Sequence, residues 1–427
     1  MAGVHKTMSN LGDVVGGEML LRLANFGVAA LIGRLYDAPV LGMYATIVAV
    51  ATLGERLADN GLELTGIAEV STRPRYVSEI VTALYIDKTI LCVVAIGLLA
   101  TMGRIVRLPP SQWIIAAILT LRTFLYSYCR LHAGFLKGLD RTRQIAKCQG
   151  VHFSLLALGF AYVYLKHKGL VALLLCLLAA QIVEYLCSFV VLSGLGVSTT
   201  PVPASLCWEL MRRSVPVGTT YTLATVMLRG DVLMLSLVAS ATVVGTFAAA
   251  DTGLVMIYVI AWLFSGVLVS ELGRHARNSR ALNLHFRKIL RTVMVVSIPI
   301  AMAGVLLARF AVILIFGKSF AAAGSTAAIM ILALPLILLN AAFLSRLIAK
   351  SAARVAVFIY LPAALLSLLL NYLLGRYYGA AGVAVSIVLR EAVICLVFLC
   401  VWHFPFRPTE STLTVNSHSE MASLLNT

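Results

Sequence analysis

The chain has 427 residues, of which 60% are hydrophobic and only 12% are charged, and its formal net charge at pH 7 is +16. Soluble domains are nearer half apolar and a quarter charged, and the apolar surface that they can bury is limited by their size. This composition excludes a soluble enzyme, a disordered chain and a secreted disulfide scaffold. It predicts a protein that uses lipid as its solvent.

Twelve segments of the sequence are long and apolar enough to cross a bilayer as helices, which takes about 20 residues. We therefore predict an all-α polytopic membrane protein with about 12 transmembrane helices. The predicted spans, separated by clusters of charge, Pro and Gly, are 11–34, 40–66, 77–102, 113–133, 148–165, 169–193, 214–238, 241–271, 289–309, 321–349, 353–374 and 378–402.

A linker with two prolines and several Ser and Thr residues lies at mid-chain and separates six spans from six. The tail after the last span is polar, as is typical of disorder. The predicted domains are an N-terminal six-helix lobe over 1–193, a cytoplasmic linker over 194–213, a C-terminal six-helix lobe over 214–402 and a disordered cytoplasmic tail over 403–427.

A short internal echo supports two related lobes. Residues 40–45 read V-L-G-M-Y-A and residues 243–248 read V-V-G-T-F-A, at a spacing of 203, and each segment opens the second span of its half. Because each half has six helices, both halves insert in the same orientation. The predicted symmetry is a pseudo-two-fold axis along the membrane normal.

Three stretches carry a resemblance to a known family. Residues 33–45 read G-R-L-Y-D-A-P-V-L-G-M-Y-A, and D-N-G-L follows at 59–62. Residues 229–235 read R-G-D-V-L-M-L, with V-G-T-F-A-A-A at 244–250. The third stretch is F-G-K-S-F at 316–320 with Y-G-A-A-G-V-A at 378–384. In order and spacing these stretches resemble the polysaccharide flippase family of the multidrug/oligosaccharidyl-lipid/polysaccharide (MOP) exporter superfamily.

The resemblance implies a transporter and not an enzyme. It implies that a polyprenyl-pyrophosphate-linked oligosaccharide is flipped from the cytoplasmic to the outer leaflet by alternating access, for cell-surface polysaccharide synthesis in the inner membrane. Expected partners are this lipid-linked sugar, anionic membrane lipids and membrane proteins of polysaccharide assembly. The alternative within the superfamily is a multidrug/cation antiporter. No nucleic acid, cofactor or metal is expected, since no basic soluble domain, nucleotide motif or zinc spacing occurs in the sequence.

Charged side chains inside the predicted spans are the candidate functional residues, because charge in a bilayer usually faces a cavity or pairs with another charge. Guanidinium groups suit phosphate oxygens, so arginines could hold the pyrophosphate. The competing interpretation is that these residues form structural ion pairs between helices. The cations predicted to line a cavity are Arg22, Arg122, Arg390, Arg229, Arg56 and Lys88, and the acids considered for ion coupling are Glu18, Asp59 and Asp251.

The distribution of lysine and arginine between loops predicts that both termini are cytoplasmic. With that orientation the inside segments hold 19 of these residues and the outside segments hold 8, as the positive-inside rule requires. Reporter fusions at Thr427 and in the 103–112 loop should therefore report opposite sides of the membrane. Two fusions on the same side would contradict the twelve-span topology.

Overall fold

The computed structural model describes residues 23–105, 109, 112–275, 279–350 and 353–402. Nearly all of these residues are helical, and none of them forms a strand. Glu18, Arg22 and the predicted tail over 403–427 lie outside the described residues. The helices are α1 (Leu23–Leu35 in its described part), α2 (Ala38–Asp59), α3 (Leu62–Thr72), α4 (Val77–Ile105), α5 (Trp113–Gly138), α6 (Thr142–Leu165), α7 (Leu170–Gly194), α8 (Ala204–Val238), α9 (Ala241–His275), α10 (Ser279–Phe316), α11 (Ala323–Ile331), α12 (Leu334–Ala349) and α13 (Ala353–Trp402).

Helix α13 is the longest element, and a break at Gly379 divides it into two spans. Gly379 has a φ of 58°, a left-handed conformation that glycine adopts without steric cost. Beyond it the chain turns back on itself. A Cβ on Gly382 would overlap the carbonyl oxygen of Leu374, and the Ser386 hydroxyl donates a hydrogen bond to the side-chain oxygen of Asn371. The two arms of α13 are therefore antiparallel neighbours.

The helix count agrees with the predicted number of spans. Ten helical segments of the described chain are long and apolar enough to cross a membrane when short breaks are ignored. Counting α13 as two spans and adding the described part of α1 gives twelve. The prediction of an all-α membrane protein with about twelve spans is confirmed for the described residues.

A break between α2 and α3 interrupts the second predicted span where the sequence reads D-N-G-L. Asn60 and Gly61 have φ values of 38° and 83°, in the left-handed region that favours Gly and Asn. Gly61 also has no room for a side chain, since a Cβ would lie 2.6 Å from the carbonyl oxygen of Ser214 and 2.7 Å from the backbone nitrogen of Gly218. The break thus lets the backbone approach α8 closely.

The predicted span 321–349 is also two helices. Helix α11 ends at Ile331 and α12 begins at Leu334, with Pro335 in its first turn. Proline has no N–H to donate and is favoured at the start of a helix. The single predicted span is therefore resolved into two segments of one membrane crossing.

The chain divides into two compact units. Among the described residues, the first contains 23–27 and 47–225, and the second contains 28–46 and 226–402. In the first unit, α5 packs on α3 and α7, and α6 packs on α7. In the second unit, α9 packs on α11 and α12, and α12 packs on α13. The domain boundaries placed at 193 and 214 from the sequence stay a prediction.

Each unit has an apolar core that fixes its helices. The first core contains Leu84 of α4 with Leu131 and Phe135 of α5. In the second core, the Phe286 and Phe343 rings meet edge to face with centroids 5.4 Å apart. Bilayer lipid is as apolar as these side chains, so close van der Waals packing rather than exclusion of water stabilises such contacts.

The first and third stretches of the family resemblance meet in the second unit. The ring of Phe316 occupies the space that a side chain at position 33 would need, which leaves room only for Gly33. The neighbouring Arg34 donates hydrogen bonds to the carbonyl oxygens of Leu314 and Ile315, the latter at 2.7 Å. These carbonyls end α10, where cationic side chains are favoured.

The two glycines of the internal echo touch each other in a reciprocal way. A Cβ on Gly42 would overlap the carbonyl oxygen of Ala241, four residues before Gly245. A Cβ on Gly245 would overlap the carbonyl oxygen of Ala38, four residues before Gly42. A contact in which each side repeats the other is the mark of a local two-fold axis. The start of α2 and the start of α9 are thus equivalent across the 203-residue repeat.

This contact predicts that neither glycine tolerates a side chain. Gly42→Ala and Gly245→Ala should each lower the stability of the full chain in detergent by about 1–3 kcal/mol, because backbone atoms must move apart. Gly97→Ala is the matched control, since a Cβ there would meet nothing within 4 Å. Thermal unfolding measures the effect. Parental stability of Gly42→Ala would contradict the close approach.

Candidate functional site

One face of α5 carries two cationic side chains and a tyrosine in the first unit. Tyr126, Arg130, Ala133 and Lys137 follow each other at spacings of four, three and four residues, which places them on one side of a helix. All four line one cavity. The helical repeat therefore brings two cations to the same wall of this cavity.

Five charged residues of α2, α3 and α5 form an alternating series of ion pairs, which we call the cation ladder. Glu55 lies between two arginines, with its carboxylate 3.4 Å from Arg56 Nε and 3.6 Å from Arg130 Nη1. Glu63 lies between Arg130 and Lys137, with its carboxylate 3.2 Å from Lys137 Nζ and hydrogen bonded to Arg130. Three cations alternate with two carboxylates, so the ladder carries a formal charge of +1.

The cations of the ladder remain partly accessible. The side chains of Arg56, Arg130 and Lys137 are 19%, 20% and 28% exposed, whereas the Glu55 side chain is 2% exposed. Nη1 of Arg56 and Nη1 of Arg130 are buried without a hydrogen-bond partner. Because these two nitrogens are enclosed by protein, an anionic ligand would meet the exposed parts of the three cationic side chains.

A second ion pair lies beside the ladder and is fully enclosed. Lys88 Nζ of α4 donates to Asp59 Oδ1 of α2 at 2.7 Å, and the two side chains are 0% and 6% exposed. Lys88 was predicted to line a cavity and Asp59 to couple an ion. The structure pairs them with each other. Such a pair is costly to break, because each charge then loses its only compensation in a low-dielectric setting.

The second unit holds a different polar network around Arg390 of α13. The guanidinium is 1% exposed and donates to the carboxylate of Asp231 at 3.1 Å and to the Tyr258 hydroxyl at 2.7 Å. It also contacts the Met227 carbonyl oxygen, the Ser367 hydroxyl and the Glu391 carboxylate. Every nitrogen of this guanidinium thus has a protein acceptor. That Arg390 lines a substrate cavity stays a prediction, and its surroundings favour the competing interpretation of a structural ion pair.

The other predicted residues fall outside these networks. Arg229 Nη1 lies 3.9 Å from Asp251 Oδ2 in the second unit, and the Asp251 Oδ1 atom is buried without a partner. In the first unit, Arg122 donates to the side-chain oxygen of Asn25 at 3.3 Å. The structure therefore brings together Arg56, Lys88 and Asp59 of the predicted set, and it places the remaining described residues elsewhere.

Arg130, Lys137 and their partner Glu63 were missed as functional residues. The sequence contains the signal, since Arg130 and Lys137 are seven residues apart and so share a helix face. The predicted fourth span ended at residue 133, which put Lys137 in a loop. Helix α5 continues to Gly138, and this extra turn carries Lys137 into the site.

The family model described as "Polysaccharide biosynthesis protein" matches residues 10–269. The chain belongs to this family. No curated protein matches its sequence.

Solved structures give the fold. A lipid II flippase MurJ in an inward closed conformation is 13% identical with a TM-score of 0.74, covering 91% of this chain and 87% of that one. An inward-facing MATE-family multidrug resistance transporter of the MOP superfamily is 14% identical with a TM-score of 0.68, covering 89% and 93%. A MOP-superfamily transporter from Pyrococcus furiosus is 12% identical with a TM-score of 0.60, covering 92% and 93%. The chain therefore has the fold of MOP-superfamily transporters.

The enclosed pair predicts a double-mutant rescue. Lys88→Gln and Asp59→Asn should each destabilise the full chain by about 3–5 kcal/mol, since each leaves an uncompensated buried charge. The double variant Asp59→Asn/Lys88→Gln should recover most of this loss, because two amides can hydrogen bond to each other. Thermal unfolding in detergent measures all three. Single variants with parental stability would show that the pair is not structural.

Proposed function

We propose that the protein flips a polyprenyl-pyrophosphate-linked oligosaccharide across the membrane, with the cation ladder of the first unit holding the pyrophosphate. The observation that carries the proposal is a pair of partly exposed cations, Arg130 and Lys137, on one cavity. Arg56, which is also partly exposed, belongs to the same series of ion pairs. The membership of the polysaccharide biosynthesis family supports the substrate class.

The chemistry of the headgroup requires such a site. A pyrophosphate carries at least two negative charges, and moving it without compensation into hydrocarbon would cost far more than any transporter fold could supply. Cationic donors in a cavity replace the lost hydration, and guanidinium groups bind phosphate oxygens through two parallel hydrogen bonds. The polyprenyl tail needs no site, because it stays in lipid.

The carboxylates of the ladder hold the cations in place before a headgroup arrives. Glu63 binds both Arg130 and Lys137, so these side chains lose little conformational freedom when they bind substrate. Preorganised donors bind more tightly than mobile ones. As phosphate oxygens approach, they take over donors from the carboxylates, and the ladder exchanges one set of acceptors for another.

A multidrug/cation antiporter is the alternative, since MATE transporters share the fold. A cation-selective site would place its accessible charge on carboxylates. In the ladder the Glu55 side chain is 2% and the Glu63 side chain 10% exposed, while each cation is more exposed than either. Among the side chains of the ladder the more accessible charges are therefore positive, which favours an anionic substrate.

Alternating access would supply the transport step, and an ion gradient its energy. We propose the inner membrane as the location, with both termini cytoplasmic, in agreement with the charge bias of the loops. The ladder then lies toward the cytoplasmic end of α2 and α5, where a lipid-linked sugar made in the cytoplasm would be loaded. Anionic lipids and membrane proteins of polysaccharide assembly remain the proposed partners.

The proposed site predicts a graded loss of transport. In proteoliposomes with a fluorescent polyprenyl-pyrophosphate sugar, Lys137→Gln should lower the flipping rate roughly tenfold or more, because a hydrogen bond to a charged group contributes about 1.5–3 kcal/mol. Arg130→Lys should retain part of the activity, because lysine keeps the positive charge but lacks the two parallel N–H donors of the guanidinium group.

Arg212→Gln is the control, because Arg212 is exposed and lies outside the ladder. It should flip the lipid at the parental rate. Equal stability of all variants, checked by thermal unfolding, separates substrate binding from folding. If folded Lys137→Gln and Arg130→Lys proteins both transport like the parent, the ladder is not the headgroup site.

A further inference from the structure

A buried histidine and a glutamate form a dyad between α6 and α7 of the first unit. His152 is 1% exposed, and its Nδ1 lies 3.0 Å from Glu184 Oε2 and 3.2 Å from the carbonyl oxygen of Ala180. Gln181 also donates to Glu184 Oε2, at 2.8 Å. Two side chains, those of His152 and Gln181, therefore hold the Glu184 carboxylate.

The hydrogen bonds define where a proton can be added. Both neighbours of His152 Nδ1 are acceptor oxygens, so Nδ1 carries the hydrogen in the neutral ring. The other ring nitrogen, Nε2, is buried and has no partner. It is the unprotonated nitrogen of the neutral ring, and a proton added there converts the imidazole to imidazolium beside the Glu184 carboxylate.

Glu184 of the dyad lines the same cavity as Arg130 and Lys137, and His152 contacts Glu184 from α6. Helix α6 packs against α5 and α7. Cys187 of α7 lies near Cys148. The titratable groups that face the cavity from the neighbouring helices are Glu63 of α3, Tyr126, Cys129, Arg130 and Lys137 of α5, and Cys148 of α6.

The charge of this wall is balanced until a proton arrives. Glu63 and Glu184 contribute two negative charges, and Arg130 and Lys137 contribute two positive ones. A proton on His152 changes the formal charge of the wall by +1. At short range and low effective dielectric constant, one unit charge acts strongly on an anion in the cavity.

We propose that the His152–Glu184 dyad is a proton-binding site that is coupled to binding of the pyrophosphate headgroup. The inference rests on the proposed function of the cation ladder. Because coupling between two ligands is reciprocal, a proton on the dyad strengthens headgroup binding, and headgroup binding draws a proton onto the dyad. The proton reduces the net negative charge that accompanies the headgroup through the membrane.

The structure offers a matched control histidine in the same unit. His132 is also fully buried, but both of its ring nitrogens have partners. Nδ1 lies 2.6 Å from the Ser188 hydroxyl, and Nε2 is hydrogen bonded to the Tyr85 hydroxyl. Because the Ser188 hydroxyl donates to the Tyr185 carbonyl oxygen, it accepts from His132 Nδ1, and Nε2 accepts from Tyr85. A proton added at His132 Nε2 would displace this hydrogen bond, whereas Nε2 of His152 has no hydrogen bond to displace.

The test is calorimetric titration of the full chain in detergent with inorganic pyrophosphate between pH 5.5 and 8, the range in which imidazole groups commonly exchange protons. Repeating it in buffers of different ionisation enthalpy gives the number of protons taken up. The parent and His132→Gln should bind pyrophosphate more tightly at low pH and take up a proton that His152→Gln does not. Relative to His152→Gln, their affinity should change on the order of tenfold across this range.

The protonation of pyrophosphate itself is common to all of these proteins, so only the difference between variants counts. If His152→Gln does not fold, Glu184→Gln serves in its place and should likewise lose the extra proton. Difference infrared spectra of the unmodified protein should show an imidazolium signal on pyrophosphate addition. The same pH dependence and proton count in the parent and the dyad variant would overturn the dyad as proton site, with the ladder intact. No pyrophosphate binding by the folded parent would overturn the ladder and the coupling together.

Discussion

The cost of placing a charge in a low-dielectric interior governs how the polar residues of this protein are arranged. Lys88 has a single carboxylate partner at 2.7 Å and no exposed surface, and Arg390 has acceptors for each of its nitrogens. These two charges are compensated by groups of the protein itself. In the ladder, by contrast, the cations Arg56, Arg130 and Lys137 outnumber the carboxylates, so positive charge remains for a ligand.

Close backbone packing is the second constraint, and glycine provides it. At Gly42 and Gly245 the helices α2 and α9 touch through backbone atoms, and at Gly61 the chain meets the backbone of α8. Breaks at Gly61 and Gly379 have left-handed φ values. The break at Gly61 ends α2 within the second predicted span, and so it sets where the charged residues of α2 and α3 lie. Glu63 is the second residue of α3, so its position depends on the break at Gly61.

The sequence was sufficient for the fold class and for most of the helices, because twenty-residue apolar runs have few other solutions in lipid. It also placed Gly42 and Gly245 at equivalent points, and the structure shows them in reciprocal contact. It did not show which charged residues line a cavity and which form structural ion pairs. Whether Arg390 faces a cavity or Asp231 depends on which helices are neighbours, and spacing along one helix does not contain that information. Arg130 was passed over for the same reason, since its partners Glu55 and Glu63 come from other helices.

The measurement that tests the account most directly is an experimental structure of the full chain with a polyprenyl-pyrophosphate sugar bound. The account predicts that phosphate oxygens lie about 3 Å from nitrogens of Arg130 and Lys137, and that Glu63 has given up at least one of its present partners. A headgroup held elsewhere, with the ladder unchanged and Arg130 still bound to Glu63, would contradict the assignment of the ladder as the substrate site.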